Sequence, residues 1–212
     1  MKVKKVDVLL YAITDKGALH GRDIYKAVED AVKGGATIIQ LREKGLDEKT
    51  LTEEAAKLTE ICHRYNVPLI VNDNVDAAIN SGADGVHVGM EDTPVSEIRA
   101  RVSDEFIIGA TAKTVEQAKK AQAEGADYLG VGAVFPSPTK KDAIRITNEQ
   151  LREIANSVDI PVAAIGGISK DNILQLQGSG ADGAAVVSAI FAQDDIAEAA
   201  AELKKLAEKM TR

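Results

Sequence analysis

Three segments of the chain repeat one local pattern, in which Gly-Ala-Asp stands between a helical stretch and an apolar run. The copies are Ser81–Val86, Glu124–Leu129 and Ser179–Ala184, and Lys33–Ile38 is a looser copy. Glycine commonly closes a helix because it adopts the left-handed conformation without strain. The spacing favours an arrangement in which every other helix-to-strand junction carries a different connector, such as Asn66-Val67-Pro68. The pattern therefore predicts strand–helix units joined by short loops.

Eight apolar runs alternate with helical patterns along the chain. The runs lie near residues 6–14, 37–42, 68–72, 85–89, 107–111, 128–132, 162–166 and 183–187. The helical patterns lie near 22–33, 47–65, 75–81, 94–102, 114–124, 147–156, 169–179 and 194–210. Most runs are apolar on both faces, as the strands of a buried parallel sheet are.

This alternation predicts an α/β fold, a single (β/α)₈ TIM-barrel domain spanning 1–212 with its active site at the C-terminal ends of the strands. A doubly wound sheet is the alternative. Thr14-Asp15-Lys16-Gly17, which follows the first run, is not the glycine-rich turn that such a sheet would bring.

Composition argues against several classes of function. The net charge is −7, 3% of residues are aromatic, and basic blocks with interleaved aromatics are absent, which argues against nucleic acid as a partner. Neither a signal peptide nor an apolar stretch of the roughly 18–20 residues that cross a membrane is present, so we expect a cytoplasmic protein that acts on small molecules. The single cysteine, Cys62, excludes an internal disulfide and is expected in a helix core. Whether the chain forms a homo-oligomer stays open.

The strand near 37–42 ends in cationic residues. Because side chains alternate along a strand, Gln40, Arg42 and Lys44 should project to one side. Amide, guanidinium and ammonium groups are all donors suited to phosphate or pyrophosphate. An edge strand also carries such residues as a guard against aggregation, but this run reads as an internal strand, which favours ligand contact.

Two carboxylates follow adjacent strands of the predicted barrel. Asn72 and Asp73 follow the third strand, and Asp92 follows the fourth. Such a set suits Mg²⁺, which takes few protein ligands and completes its shell with water and ligand phosphates. The alternative is that both aspartates are helix N-caps, and spacing alone does not separate the two interpretations. His87, within the fourth strand, is interpreted as a buried, hydrogen-bonded histidine rather than a catalytic one.

Hydroxyl groups and glycines follow the remaining strands. Thr111 is a candidate donor to an anion, whereas Thr114 is a helix N-cap. The long loop after the sixth strand carries Ser137, Thr139 and Lys140, which could close over a phosphate; the alternative is a solvated loop.

The loops after the last two strands are where many barrels bind phosphate monoesters, because glycine backbone N–H groups approach an anion there. The residues concerned are Gly166, Gly167, Val187 and Ser188. Two anion sites on one rim would be explained by two phosphorylated substrates that meet over the barrel mouth.

With these residues in order, the chain resembles the thiamine-phosphate synthase family over essentially its whole length. The resemblance rests on the ordered set Tyr11-Ala12-Ile13-Thr14-Asp15, Gln40-Leu41-Arg42-Glu43-Lys44, Asn72-Asp73, His87-Val88-Gly89 with Glu91-Asp92, Thr139-Lys140, Ile165-Gly166-Gly167-Ile168 and Ser188-Ala189-Ile190. The family has a (β/α)₈ barrel. It joins hydroxymethylpyrimidine diphosphate to a thiazole phosphate, gives thiamine phosphate and pyrophosphate, and uses Mg²⁺.

The resemblance implies roles for the matching residues. Gln40, Arg42, Lys44 and Asn72 would hold the pyrimidine diphosphate, Asp73 and Asp92 would hold Mg²⁺, and Thr111 would lie near the pyrimidine. Ser137, Thr139 and Lys140 would lie on a mobile loop, and Gly166, Gly167, Val187 and Ser188 would bind the thiazole phosphate. Met90, Lys113 and Ala133 depart from the usual glutamine, histidine and proline.

The implied substitution needs no protein nucleophile, and no Ser-His-Asp or Cys-His arrangement is evident in the sequence. It needs stabilisation of the departing pyrophosphate, which Arg42, Lys44, Lys140 and Mg²⁺ would supply as the catalytic groups. The alternatives are a thiazole tautomerase, another phosphate-binding barrel enzyme such as an epimerase or aldolase, and a non-catalytic phosphate-ligand sensor.

Overall fold

In a computed structural model, which describes residues 6–136 and 145–212, eight parallel strands close into a barrel. The strands pair in chain order, and the eighth pairs with the first. Each apolar run named above forms its predicted strand, so the barrel prediction is confirmed. The strands are β1 (Leu10–Ile13), β2 (Ile38–Leu41), β3 (Leu69–Asn72), β4 (Gly85–Val88), β5 (Ile107–Ala112), β6 (Tyr128–Gly132), β7 (Val162–Ile165) and β8 (Gly183–Val186).

Helices surround the strands, and most begin at a polar residue whose side chain caps the first turn. They are α1 (Ile24–Lys33), α2 (Glu48–His63), α3 (Val75–Asn80), α4 (Val95–Arg99), α5 (Val115–Ala123), α6 (Asn148–Asn156), α7 (Ser188–Phe191) and α8 (Ile196–Met210). Thr114 caps α5 as predicted, since its side chain accepts from the N–H of Gln117. Cys62 is buried in α2, and burial raises the pKa of its thiol to about 12, which fits the predicted core role.

The segment between β7 and β8 differs from the prediction of a helix over 169–179. It holds only a 3₁₀ turn, Ile173–Leu176. The side-chain oxygen of Asn172 accepts from the backbone N–H of Ser169, and its side-chain nitrogen donates to the backbone oxygen of Gly167. These bonds favour a turn rather than a helix start. Gly178 and Gly180, both with positive φ, end the segment. A further short helix, α7, lies between β8 and the predicted α8.

The Gly-Ala-Asp repeat has a structural explanation. The carboxylate of Asp84 accepts from the backbone N–H of Leu69 at 2.7 Å, and the backbone N–H of Asp84 donates to the backbone oxygen of Leu69 at 2.9 Å. Asp127 with Ile108 and Asp182 with Val162 repeat the same two bonds, and the hydroxyl of Thr37 takes the carboxylate's place against Leu10. The repeat therefore fastens alternate strand pairs at the N-terminal end of the barrel.

Side chains alternate between the barrel interior and the helix layer, as the strand period requires. An inner cluster contains Tyr11, Ile38, Ile70, Ile107 and Tyr128, whereas the alternate residues pack under the helices. Across the described ranges, none of the helices is long and apolar enough to cross a membrane. The apolar interior closes the barrel from below, so the polar residues at the strand ends face a closed floor.

Candidate active site

A cavity of about 800 Å³ opens at the C-terminal ends of the strands. Eight of the predicted substrate-binding residues line it: Gln40, Arg42, Asn72, Thr111, Gly166, Gly167, Val187 and Ser188. They come from β2, β3, β5 and the loops after β2, β7 and β8, so they meet only because the barrel closes. The structure thus brings together residues that are separated by up to most of the chain length.

The polar side chains at the end of β2 lie in two places, some at the cavity and one in solvent. Gln40 is buried, and Arg42 lines the cavity with an ion pair to Asp15 of 3.2 Å. The backbone N–H of Arg42 donates to the hydroxyl of Thr14 at 2.9 Å, which anchors this turn to the end of β1. Lys44 is exposed and lies outside the residues that line the cavity. Its role in catalysis stays a prediction.

Asp73 and Asp92 meet at the rim beside this cationic end. The N-cap of α3 is Asn74, and that of α4 is Pro94, so the alternative interpretation of the two aspartates as N-caps is wrong. Asp73 has a positive φ of 61°, and the carboxylate of Asp92 accepts from the backbone N–H of Gly89 at 2.7 Å.

The surroundings of Asp73 favour the protonated form of its carboxyl group. The pKa of Asp73 is raised, first because neighbouring atoms exclude part of its water and then because Asp92 adds a nearby negative charge and a hydrogen bond. Asn72 and Arg42 act in the opposite direction. Two like charges held together in this way suit a divalent cation with an incomplete protein shell. In the described residues no group of three or more His, Cys, Asp or Glu side chains is arranged to hold a metal, so such a cation would need ligand phosphates.

A chain of polar side chains crosses the floor of the cavity, and we call it the cross-barrel network. The amide nitrogen of Gln40 donates to the hydroxyl of Tyr11 at 2.5 Å, which lies 2.6 Å from the hydroxyl of Tyr128. Nδ1 of His87 lies 3.0 Å from that second hydroxyl, and its Nε2 lies 3.1 Å from the hydroxyl of Thr111. His87 is therefore buried and hydrogen-bonded, as predicted.

Another wall of the cavity is formed by the loops after β7 and β8, where glycines leave the backbone accessible. Gly166 and Gly167 have φ values of 104° and 64°, and a side chain on Gly167 would meet the backbone oxygen of Pro136 at 2.2 Å. Both positions therefore require glycine. Ser188 begins α7, so this wall has the short extra helix that completes many barrel phosphate sites.

Arg22 and Gln193 hold α7 in place. Arg22 donates to the backbone oxygens of Phe191 and Gln193, and the side chain of Gln193 donates to the backbone oxygen of Ser188. Gln193 also lines the cavity. The wall that carries the predicted monophosphate contacts is thus held by side-chain hydrogen bonds to the backbone of α7 and of the residue pair that follows it.

Sequence reasoning missed several residues of this site. Tyr11 and Lys113 line the cavity, and Tyr128 lies beneath it as a member of the network. The apolar runs mark the two tyrosines only as strand residues, although the alternation along β1 and β6 is the signal that places both inside the barrel. Ser137, Thr139 and Lys140 lie outside the described residues, so their predicted roles stay predictions.

Comparison with known proteins gives one consistent family. A sequence profile described as thiamine monophosphate synthase matches residues 10–190. A thiamine-phosphate synthase of Clostridium tetani is 45% identical over 96% of this chain and 97% of its own length. That of Alkaliphilus oremlandii is 48% identical over 94% and 95% of the two chains.

Solved structures give the same result. A thiamine phosphate pyrophosphorylase from Pyrococcus furiosus has a TM-score of 0.88 and 39% identity, and the match covers 97% of this chain and 98% of the other. A 3-hexulose-6-phosphate synthase matches with a TM-score of 0.66 and 16% identity over 93% and 99% of the chains. The second likeness shows the barrel fold alone.

Proposed function

This chain belongs to the thiamine monophosphate synthase family and synthesises thiamine phosphate, and we propose that it does so by joining two phosphorylated substrates across the cavity mouth. The substrates are 4-amino-2-methyl-5-hydroxymethylpyrimidine diphosphate and a thiazole phosphate, and the second product is pyrophosphate. One observation carries the proposal: a single cavity has Arg42 on one wall and the Gly166–Gly167 backbone on another, and Arg42 is near enough to the Asp73–Asp92 pair beside the cavity to lower the pKa of Asp73. Each wall suits one of the two anions.

The diphosphate would bind at the wall formed by β2, β3 and β4. Arg42 is partly buried, and its guanidinium offers donors to the phosphate oxygens while Asp15 fixes its position. Asn72 lies at the same wall. Lys44 and Lys140 are proposed to approach the diphosphate from the loops, where their charges would add to that of Arg42.

Asp73 and Asp92 would hold Mg²⁺ together with the substrate phosphates. The fit rests on the donor set, since burial and then the nearby carboxylate of Asp92 raise the pKa of Asp73, and a bound cation would offset the repulsion between the two carboxylates. When bound, Mg²⁺ supplies charge neutralisation on the diphosphate. The protein's own contribution is to hold both carboxylates at one point of the rim, with Asp92 fixed by the N–H of Gly89.

The thiazole phosphate would bind at the wall formed by the loops after β7 and β8. Backbone N–H groups near Gly166, Gly167, Val187 and Ser188 would receive the monophosphate, as in other barrels with this arrangement. Arg22 and Gln193 brace α7, so this wall needs little reorganisation when the anion arrives. Placing the monophosphate here leaves the thiazole ring to extend toward the pyrimidine.

The chemistry then follows from alignment and charge. The bond between the pyrimidine CH₂ and the diphosphate oxygen breaks, and its electron pair leaves with pyrophosphate. The thiazole nitrogen donates its lone pair to the resulting ring-stabilised cation and forms the new C–N bond. Holding two reactants in this geometry replaces a bimolecular encounter, and such positioning is worth effective concentrations of about 10⁵–10⁸ M in favourable cases. Arg42 and the lysines stabilise charge on the leaving group.

A thiazole tautomerase, the main alternative, receives no support from the relatives described above. It would act on one thiazole phosphate and would need a general base but no diphosphate site. The contact between Asp73 and Asp92 beside Arg42 has no use in such a reaction. The synthase is therefore the function that the cavity supports best.

The test is a product assay with both substrates and Mg²⁺. We expect thiamine phosphate and pyrophosphate in equal amounts, and neither product when one substrate is left out. Turnover of the thiazole phosphate alone would support the tautomerase, and binding of both ligands without product would support a sensor. Either of these results would contradict the proposal.

A further inference from the structure

The cross-barrel network, Gln40–Tyr11–Tyr128–His87–Thr111, joins Gln40 to Thr111 across the cavity, and every member except Tyr128 lines the cavity. Each hydroxyl in it has one proton to donate, because burial raises the pKa of Tyr11 and of Tyr128 above the ordinary value and keeps both phenols protonated. The protons can therefore be assigned one bond at a time.

The assignment starts at Gln40, whose amide nitrogen can only donate. Tyr11 accepts from it, so the hydroxyl proton of Tyr11 must point to Tyr128. The proton of Tyr128 then points to Nδ1 of His87, which must accept. The opposite order would require the amide of Gln40 to turn so that its oxygen faces the hydroxyl of Tyr11, whereas the structure has the amide nitrogen there.

The far end of the network follows from the same logic. A neutral imidazole whose Nδ1 accepts carries its proton on Nε2, which donates to the hydroxyl of Thr111 at 3.1 Å. The hydroxyl of Thr111 accepts this bond and keeps its own proton to donate. At the near end, the amide oxygen of Gln40 is the polar atom that the bond to Tyr11 does not use. The network thus orients Gln40 as an acceptor and Thr111 as a donor.

The barrel makes room for this network at two glycines. A side chain on Gly109 would come within 2.1 Å of the Tyr128 ring and 2.5 Å of Nδ1 of His87. A side chain on Gly130 would come within 3.2 Å of the imidazole. The ring centroids of His87 and Tyr128 lie 5.5 Å apart, and the ring of Tyr11 meets that of Tyr128 edge-on with centroids 5.6 Å apart. The positions of the rings are therefore set by packing as well as by hydrogen bonds.

We propose that Tyr11, Tyr128 and His87 are positioning residues that select an aminopyrimidine over its oxo counterpart by fixing Gln40 as acceptor and Thr111 as donor. This inference rests on the proposed function. The 4-amino group of the pyrimidine donates and its ring nitrogens accept, which complements the two oriented groups. In the 4-oxo analogue the carbonyl would face the amide oxygen of Gln40, so two acceptors would meet. Sites that hydrogen-bond in this way reject mismatched analogues strongly.

The sharpest test is Tyr128→Phe, which removes one oxygen from the middle of the network. Tyr11 then loses its acceptor and can donate to Gln40 instead, so the amide turns and presents its N–H groups to the ligand. We expect the ratio of kcat/KM for the 4-amino diphosphate to that for the 4-oxo diphosphate to fall about tenfold or more. Affinity for the thiazole phosphate should stay within about twofold. Tyr65→Phe, which removes a surface hydroxyl bound to Glu29, is the matched control.

Two further measurements keep the inference testable if Tyr128→Phe folds poorly. In the wild-type protein, long-range ¹H–¹⁵N spectra should show His87 protonated at Nε2 and not at Nδ1. Thr111→Val should weaken binding of the 4-amino ligand, and Thr111→Ser, which keeps the hydroxyl, should restore it.

The outcomes separate the two proposals. If the wild-type protein fails to bind the 4-amino diphosphate, the proposed function falls and this inference falls with it. If the wild type discriminates between the two pyrimidines and folded Tyr128→Phe discriminates equally well, the inference alone is overturned. Protonation of His87 at Nδ1 in the wild type would also overturn it, since the donors and acceptors along the network would then be reversed.

Discussion

The carboxylate of Asp127 accepts from the backbone N–H of Ile108 at 2.8 Å while the backbone N–H of Asp127 donates to the oxygen of Ile108 at 2.7 Å. This two-sided contact holds β5 to β6 at the bottom of the barrel, far from the cavity. It recurs at Asp84 and Asp182, and Thr37 supplies a hydroxyl version. The most regular feature of the sequence therefore serves folding, whereas the chemistry lies at the opposite end of the same strands.

Thr37→Val is predicted to destabilise the protein by about 1–3 kcal/mol, because the buried backbone N–H of Leu10 loses its acceptor. Thr37→Asp should keep most of the stability, since it converts this copy to the form found in the other three. The measurement is urea denaturation, with Thr211→Val on the exposed C-terminus as control. Equal stability of Thr37→Val and wild type would show that the contact contributes nothing.

The strands could be predicted from the sequence because a parallel barrel buries both faces of each strand. The segment 169–179 could not, because its helical pattern competes with the side-chain bonds of Asn172 and with the positive φ values of Gly178 and Gly180. The alternation that puts Gln40 and Arg42 on one side agrees with their positions in the cavity lining, but it does not extend to Lys44, which lies farther beyond the end of β2 at Leu41.

The candidate site was predictable where its residues follow strands and unpredictable where it depends on contacts between distant strands. The sequence names Asp73 and Asp92 as candidates, but only the structure separates a carboxylate pair from two helix caps. Tyr11 and Tyr128 are 117 residues apart, and their contact depends on the order of strands around the closed barrel. No local pattern in the sequence carries that information.

Mg²⁺ is predicted to raise the melting temperature of the wild-type protein in the presence of the pyrimidine diphosphate, through binding to Asp73 and Asp92. Ligands at about 100 times their Kd stabilise a folded state by roughly 2.7 kcal/mol. Asp92→Asn should remove most of the Mg²⁺-dependent shift. It should also leave the metal-free protein as stable as the wild type or more stable, because one of two like charges is gone. Thermal melts with and without Mg²⁺ test this, and an unchanged Mg²⁺ shift in the variant would contradict the assignment.

Arg42→Ala is predicted to lower kcat by on the order of 10²–10³, because the guanidinium matters most as charge develops on the departing diphosphate. Arg101→Ala, which removes a surface arginine paired with Asp76, is the control and should leave kcat unchanged. Steady-state kinetics with both substrates separate the effects. A change confined to KM would mean that Arg42 only binds the ground state.

Glu43 is predicted to make the protein less stable as the pH rises. Burial raises the pKa of its carboxyl to about 7, and Glu54 and Asp15 add to the shift against the opposing charges of Lys16 and Arg42. Because the folded state binds the proton more tightly than the unfolded state, stability is highest below the unfolded pKa of about 4.5 and falls as the pH rises through about 7.

Glu43→Gln should therefore match the wild type near pH 5 and exceed its stability at pH 8. After allowance for the solvent-exposed part of the side chain, the gain is on the order of 1 kcal/mol. Denaturation at both pH values measures it, with Glu60→Gln on the exposed face of α2 as control. A constant difference between wild type and Glu43→Gln across this range would show that Glu43 ionises normally.

Ser188→Asp is predicted to weaken binding of the thiazole phosphate about tenfold or more, because a carboxylate at the start of α7 would face the monophosphate. The pyrimidine diphosphate should bind within about twofold of wild type, since its predicted contacts lie at the wall formed by β2, β3 and β4. Calorimetric titration with each ligand checks both expectations, and Ser103→Asp on an exposed loop controls for the added charge. Equal loss of both ligands, with an unchanged melting temperature, would show that the two anions do not bind at separate walls of the cavity.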